Sequence, residues 1–323
     1  MAEPSIIVPD DFPSVFAGTE AERLCQTLGL TRVYSERGAD DEAELIRRVD
    51  RARIAVNIRA HARFTEGVFA ACRNLTMVSV WGTGTDNIDL DAAGRRGVTV
   101  CNTPGVNAMA VAEHTLALML AVARKIPQID AQIREGKWPR EMLGQLLGKT
   151  LGVFGAGAIG ARMIDLGRAI GMNVTAWSAR DDTARVRSLG ARPGAKDEIL
   201  READVVTLHL RLAPETRGFL GRKDLALMKP GAILINTGRG ALVDREALLA
   251  ALSSRKLAAG LDVFHDEPLK AGDPITTMPN AVLSPHNAGQ TPEVIRNGLL
   301  LAVQNVEKFL AGRPANVVVA PVK

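Results

Sequence analysis

Apolar residues in this chain follow two registers that alternate almost from end to end. Short apolar, often β-branched runs bounded by turn residues predict buried strands, and stretches with apolar residues three and four apart predict helices. In the first third of the chain the strands fall at Ser5–Val8, Arg53–Ile58, Thr76–Val80 and Val98–Cys101, with helices such as Glu42–Arg51 and Thr65–Cys72 between them. A long apolar helix is expected at about Val111–Ile126, followed by a polar arm, Gln128–Glu141, that carries Trp138. A second series opens at Thr150, with strands at Thr150–Phe154, Asn173–Trp177, Val205–Leu208, Ala232–Asn236, Ala259–Val263 and Ala281–Ser284. Pro292–Leu310 closes the pattern as an amphipathic helix.

This alternation predicts an α/β chain with two doubly wound, mainly parallel sheets. The turn Asn102-Thr103-Pro104-Gly105 and the segment after His286 are the candidate boundaries. The second series is therefore expected to be inserted into the first. Residues 1–102 and 290–323 would form a substrate-binding domain and residues 103–289 a dinucleotide-binding domain, with a ligand cleft between them.

Composition narrows the classes. A hydrophobic content of 46% and a charged content of 24% are ordinary for a globular protein and exclude a disordered one. The net charge of +4 is small and its basic residues are dispersed in doublets such as Arg47-Arg48 and Arg95-Arg96, so no nucleic-acid partner is expected. No secretory leader is read at the start, and no apolar run is long enough to span a bilayer, Leu116–Ala123 included. Cys25, Cys72 and Cys101 are odd in number and far apart, which fits neither a disulfide framework nor a zinc site; a reducing cytoplasm is expected. The acidic run Asp40-Asp41-Glu42 reads as a solvated helix start rather than a metal site.

The first chemical signal is Gly155-Ala156-Gly157-Ala158-Ile159-Gly160. Such a pattern alone is weak, but here it follows a strand, opens a helix with the face Ile159, Met163, Leu166 and Ile170, and precedes another strand. Gly155 allows the tight turn, Gly157 lets backbone approach a pyrophosphate, and Gly160 lets helix and strand pack closely. The helix N-terminus meets the phosphate with unpaired N–H groups. At the end of the second strand an NAD site usually carries an acid for the ribose hydroxyls. This chain has Ser178, eighteen residues after Gly160, followed by Ala179-Arg180. A hydroxyl and a guanidinium suit a 2′-phosphate, which favours NADP over NAD; Asp181 and Asp182 pull the other way.

Three further strand ends carry reactive groups: Arg239 in Asn236-Thr237-Gly238-Arg239-Gly240, Glu267 after Leu261-Asp262-Val263-Phe264, and His286 in Ser284-Pro285-His286. A guanidinium can pair with a substrate carboxylate and polarise a ketone. A carboxylate beside an imidazole favours its cation, the acid that 2-oxo acid reduction needs. His265 competes on paper but lacks the strand-end Pro-His context, Asp266 competes with Glu267 although Glu-Pro at this spacing favours Glu267, and His114, inside an apolar helix, reads as a packed or interface histidine.

With these motifs in place, the chain resembles the D-isomer-specific 2-hydroxyacid dehydrogenase family, which includes D-3-phosphoglycerate dehydrogenases and glyoxylate/hydroxypyruvate reductases. The resemblance covers nearly the whole chain. It rests also on Gly82-Thr83-Gly84-Thr85-Asp86-Asn87-Ile88-Asp89, Asn102-Thr103-Pro104, Val111-Ala112-Glu113-His114, Leu227-Met228-Lys229-Pro230-Gly231-Ala232 and Glu267-Pro268. It implies a Rossmann cofactor domain inserted into a flavodoxin-like substrate domain, and a homodimer joined through the former. It also implies Arg239, Glu267 and His286 as the catalytic trio, with His286 the general acid. Backbone N–H groups around Thr83 and Gly84 would take the substrate carboxylate. Asp262 would hold the nicotinamide carboxamide, and Thr237, Gly238, His209, Leu210 and Ala288 would line the cofactor. A carboxy-terminal-binding corepressor, which reads dinucleotide levels on the same fold, is the alternative from another class.

Two departures bear on the substrate. Phosphoglycerate enzymes carry an arginine shortly before the glycine-rich carboxylate loop, where this chain reads Val80-Trp81-Gly82. Trp81 is expected to form a pocket wall suited to a small unphosphorylated 2-oxo acid, although Arg59 can still supply a cation. Arg211 stands where many relatives have proline; it is either a cofactor-phosphate ligand or an exposed loop residue.

Overall fold

A computed structural model describes residues 5–58, 61–179 and 182–321. In chain order the strands are β1 (Ser5–Val8), β2 (Leu30–Val33), β3 (Ile54–Asn57), β4 (Met77–Val80), β5 (Thr99–Cys101), β6 (Thr150–Phe154) and β7 (Asn173–Trp177). They continue with β8 (Arg192–Pro193), β9 (Val205–Leu208), β10 (Ala232–Asn236), β11 (Leu257–Leu261), β12 (Ala281–Leu283) and β13 (Val317–Val319). The helices are α1 (Glu20–Leu28), α2 (Glu42–Val49), α3 (Glu66–Ala71), α4 (Leu90–Arg95), α5 (Ala108–Ala123) and α6 (Ile126–Arg134). They continue with α7 (Ala158–Ala169), α8 (Thr183–Ser188), α9 (Lys196–Glu202), α10 (Arg222–Leu227), α11 (Arg245–Ser253) and α12 (Pro292–Leu310).

The chain separates into two compact units, Met1–Asn107 with Gln290–Lys323, and Ala108–Gly289. The turn at Asn102 stays with the first unit because it is bonded there. Asn102 N–H donates to Asn316 O, and Gly82 N–H donates to the Thr103 hydroxyl at 2.7 Å.

The first unit is a sheet of order β13-β5-β4-β3-β1-β2, parallel except for β13, which runs antiparallel to β5. One face packs on α1 and α12 through Ile6, Val8, Ile54, Val56, Leu299 and Val303; the other packs on α2, α3 and α4. Polar side chains start several helices: Thr19, Asp41, Thr65, Asp89 and Thr291 each accept a backbone N–H of the first turn. Asp41 thus explains the acidic run as a helix cap. The order β5-β4-β3-β1-β2 is that of the flavodoxin-like sheet.

The second unit is an all-parallel sheet of order β12-β11-β10-β9-β6-β7-β8. Order reverses between β6 and β9, so the loops after these strands border the crevice where open sheets bind ligands. Helix α5 lies across β10 and β11 and against α7, burying Val111, Ala112, Leu118, Met119 and Val122. The close crossing needs Gly260, where a side chain would begin 3.0 Å from Leu118 Cβ.

Four expectations are corrected. β2 was absent from the pattern because it is an edge strand of alternating exposure, with Leu30 70% exposed. The short edge strands β8 and β13 carry too few residues to show a period. The strand expected at Ala259–Val263 lies two residues earlier, at Leu257–Leu261, so Asp262 and Val263 belong to the loop. The arm expected at Gln128–Glu141 is helical as far as Arg134, and Lys125, at φ 49, separates α5 from α6.

Candidate active site

Local packing explains the glycine loop. Gly155 has φ +106, and a Cβ there would lie 2.5 Å from the carbonyl oxygen of His209. A Cβ on Gly160 would fall 1.8 Å from Gly155 O, which no side chain can relieve. Gly157 differs: its φ of −75 suits any residue, and a Cβ would meet nothing within 4 Å. The protein fold does not require that glycine, so its missing side chain leaves room for a ligand. Helix α7 begins at Ala158 without a side-chain cap, which leaves its first N–H groups to an anion. These features fit a dinucleotide pyrophosphate.

The pair therefore separates fold from binding. Gly160→Ala is expected to destabilise the unit by at least about 3 kcal/mol through overpacking, seen as a large fall in melting temperature. Gly157→Ala should leave the melting temperature unchanged while weakening dinucleotide binding about tenfold, by ~1.4 kcal/mol. Calorimetric titration and thermal melts read both; a folded Gly157→Ala variant with native affinity would remove the loop from the site.

Beyond β7, Ser178 lines a pocket of about 430 Å³ with Trp177, Asp182, Thr183, Arg187 and Lys196. Asp182 Oδ1 accepts the backbone N–H of Arg185 at 2.9 Å as the cap of α8. Arg180 and Asp181 lie outside the described residues. Sequence reasoning missed Arg185, whose Nε donates to Ala156 O within the glycine loop at 2.9 Å. Its distance along the chain from that loop hid the contact.

After β9, His209 Nε2 and the Thr207 hydroxyl are 2.9 Å apart, while Nδ1 is buried with no partner among the described residues. Burial pushes this imidazole down to about 3, so it is neutral when folded. The unfolded histidine titrates near 6.5 and binds the extra proton first. Stability is therefore fully present above about pH 6.5 and falls as pH drops toward 3, by at most about 1.4 kcal/mol per pH unit. A His209→Gln variant should show a flatter dependence of melting temperature on pH over that window, and an unchanged slope would remove His209 as its source. Leu210 is buried with Cδ2 against Gly155, and Arg211 follows in the same loop.

Arg239, Glu267 and His286 come from the loops after β10, β11 and β12 of this one sheet. The Asn236 amide braces the first loop, donating to Arg239 O at 2.9 Å and accepting Gly238 N–H at 3.0 Å. Thr237 Oγ1 lies 2.9 Å from Thr115 Oγ1 of α5. Gly240 allows contact with the next loop, since a Cβ there would sit 2.1 Å from the Phe264 carbonyl carbon. Glu267 Oε2 meets His286 Nδ1 at 2.6 Å, and Oε1 accepts Phe264 N–H at 2.8 Å. Burial raises the Glu267 carboxyl, but the His286 and Phe264 hydrogen bonds and the charges of His286 and Arg239 outweigh it, leaving it below the ordinary range. Glu267 is thus held as a carboxylate, and Nε2 is the imidazole nitrogen left for a ligand.

His286 itself has φ 53, in the left-handed region that costs a residue with a side chain about 1–2 kcal/mol. Asp262, fully buried, secures that turn. Its Oδ1 accepts Asn287 N–H and its Oδ2 accepts Ala288 N–H, both at 3.0 Å. Hydrogen bonds to a charged group contribute about 1.5–3 kcal/mol each, so capture by Asp262 exceeds the backbone strain. The Ala288 N–H is thereby occupied by protein.

In the first unit, the loop after β4 is tied down by Gly82 and by Asn102 Nδ2 donating to Thr83 O at 2.8 Å. Trp81 fits against α12 only because position 298 is glycine, where a Cβ would lie 2.2 Å from the indole nitrogen. Arg59 lies outside the described residues. Asn57, at the end of β3, is buried with both amide atoms unpartnered among the described residues, a feature no sequence pattern marks.

The comparisons with known proteins agree with this arrangement. Residues 116–288 match the model of the D-isomer specific 2-hydroxyacid dehydrogenase NAD binding domain. A glyoxylate reductase of Aeropyrum pernix is 43% identical over 255 residues, 76% of each chain. A D-3-phosphoglycerate dehydrogenase of Archaeoglobus fulgidus is 38% identical over 84% of this chain, which spans only 52% of that enzyme. The crystal structure of a glyoxylate reductase from Paecilomyes thermophila, 29% identical, superposes with a TM-score of 0.89 over 98% of this chain and 99% of that one. The chain belongs to the D-isomer-specific 2-hydroxyacid dehydrogenase family, the NAD(P)-dependent oxidoreductases of 2-hydroxy acids.

Proposed function

We propose that this enzyme reduces small, unphosphorylated 2-oxo acids of the glyoxylate and hydroxypyruvate type to D-2-hydroxy acids, with NADPH preferred over NADH. The observation that carries the reading is the 2.6 Å pair of Glu267 and His286 in loops beside the Arg239 loop. The bound nucleotide supplies the hydride. Arg239 pairs with the substrate carboxylate and polarises the 2-oxo group. His286 gives its Nε2 proton to the carbonyl oxygen, while Glu267 fixes the ring through Nδ1. The loop with Thr83 and Gly84 marks the first unit as the substrate-binding domain, and the glycine loop marks the second as the dinucleotide-binding domain.

Substrate size rests on Trp81, which occupies the place of a cation that a phosphate would need. NADP preference rests on Ser178 in place of an acid and on Arg180 two residues later, a hydroxyl and a guanidinium that suit a 2′-phosphate. A panel of 2-oxo acids assayed with NADH and NADPH tests both points. Glyoxylate or hydroxypyruvate with NADPH should give the highest kcat/KM; a clear preference for 3-phosphohydroxypyruvate, or for NADH, would overturn the respective part.

A homodimer is supported by exposed apolar residues concentrated on α5, α6 and the following arm. They include Met109, Leu120, Ile126, Ile133, Leu147, Trp138 at 76% and Met142 at 96% exposure. Apolar side chains exposed along one stretch of chain suit a surface that a second copy would cover. Light scattering should give twice the chain mass, falling to one in a Trp138→Ser/Met142→Ser variant. Three free, buried thiols, each raised to about 11 by burial, suit a cytoplasmic setting. No helix among the described residues is long and apolar enough to cross a membrane.

A further inference from the structure

Within the first unit, helix α12 and strand β4 run side by side with matched spacing. Ser79 Oγ donates to Ala302 O at 2.7 Å. Two residues on along the strand, the indole of Trp81 lies against Gly298, four residues back along the helix. Two strand residues advance about 6.6 Å and four helical residues about 6 Å, so the two contacts stand in register. A Cβ at position 298 would sit 2.2 Å from Trp81 Nε1 and 2.5 Å from its Cδ1, so a side chain there forces something to move.

The helix is held in place. Besides the Ser79 bond, the fully buried Asn305 donates through Nδ2 to Asn102 O at 2.8 Å, and Leu299, Ala302, Val303 and Val306 are packed into the core. The strand is held as well. Trp81 N–H donates to Asn57 O at 2.9 Å, and Gly82 is bonded both ways with Thr103. What remains free to turn is the indole, about its own side-chain bonds. Trp81 is half-buried, packed with Ile295 and Leu299 of α12 in one cluster. It follows the carboxyl end of β4, the end at which open parallel sheets take their ligands.

We propose that Gly298 is a specificity-determining position that acts through Trp81. Its missing side chain lets the indole seat against α12, which leaves room for a 2-oxo acid with a methyl or hydroxymethyl tail. A side chain at 298 drives the ring outward and narrows the enzyme toward glyoxylate, which has no tail. This role rests on Trp81 forming the pocket wall, as proposed above. It places a determinant of substrate size on the last helix of the chain, 217 residues beyond the ring it controls.

The test compares wild type, Gly298→Ala, Trp81→Ala and the double variant in steady-state reduction of glyoxylate, pyruvate and hydroxypyruvate, with thermal melts alongside. In Gly298→Ala the ratio of kcat/KM for hydroxypyruvate to that for glyoxylate should fall about tenfold, the lower end of what one methylene is worth in a fitted pocket. Pyruvate should fall in parallel. In the Trp81→Ala background the same change should leave the ratio within about twofold, because no ring is left to displace. A structural role alone would lower all three acids equally, and that result overturns the proposal, as does an unchanged ratio. If Gly298→Ala does not fold, Trp81→Phe is compared with Gly298→Ala/Trp81→Phe, since the smaller ring leaves space for the methyl. The ratio should again fall on adding the alanine, and no change overturns the proposal. Wild-type selectivity in Trp81→Ala would refute the pocket wall itself. Wild-type protein that reduces none of the three acids would refute the proposed function, an outcome distinct from failure at position 298.

Discussion

Replacing His286 with alanine lowers kcat for 2-oxo acid reduction by about 10²–10⁴-fold, the range for losing a positioned general acid, while dinucleotide affinity changes little. Nδ1 of His286 is engaged by Glu267 at 2.6 Å, so in the proposed mechanism the proton for the substrate oxygen leaves from Nε2. In the alanine variant only water can replace it. The turn itself survives, because Asp262 holds Asn287 and Ala288 through backbone N–H groups that the substitution leaves in place. The melting temperature should therefore move little, although alanine tolerates φ 53 less well than histidine. Steady-state rates with glyoxylate and a dinucleotide titration decide the matter. A variant retaining more than a tenth of wild-type kcat would move the proton to another donor.

Arg239→Ala acts on the other half of the reaction and lowers kcat/KM by about 10³-fold or more. Removing one preorganised donor to a developing oxyanion typically costs about 10²–10³ in kcat, and the proposed ground-state pairing with the carboxylate is lost as well. The guanidinium also contributes to keeping Glu267 ionised, so its loss relaxes the downward pull on that carboxyl. Arg239→Lys should recover only part of the deficit, because an ammonium restores charge without the planar fork. Equal catalytic efficiency in the lysine and wild-type enzymes would show that charge alone suffices.

Much of this was legible in the chain because central parallel strands are buried on both faces. Thr150–Phe154, Asn173–Trp177, Val205–Leu208 and Ala232–Asn236 stand in the sheet with the bounds their apolar runs indicate. Edge strands such as Leu30–Val33 were not legible, since half exposure and short length leave no period to read. The glycine loop could be read because its residues are consecutive. The 2.7 Å contact of His114 Nε2 with Ser284 Oγ could not, as the two residues lie 170 apart in the chain and meet only when α5 crosses the sheet. Arg185 on the glycine loop and the buried amide of Asn57 belong to the same class: ordinary residues whose neighbours are set by topology.

The position of α12 has a consequence for how the polypeptide matures as it emerges during synthesis. Its Leu299, Ala302, Val303 and Val306 cover the same face of the first sheet as Ile6, Val8, Ile54 and Val56, and Ser79 donates to Ala302 O at 2.7 Å. These strands therefore keep that apolar face uncovered until α12, which follows the inserted unit in the chain, has been made. The inserted unit, contiguous from Ala108 to Gly289, can close meanwhile. The first unit thus closes only after the inserted unit has been made, and its uncovered strands are where a chaperone or a self-association event would act on the nascent chain.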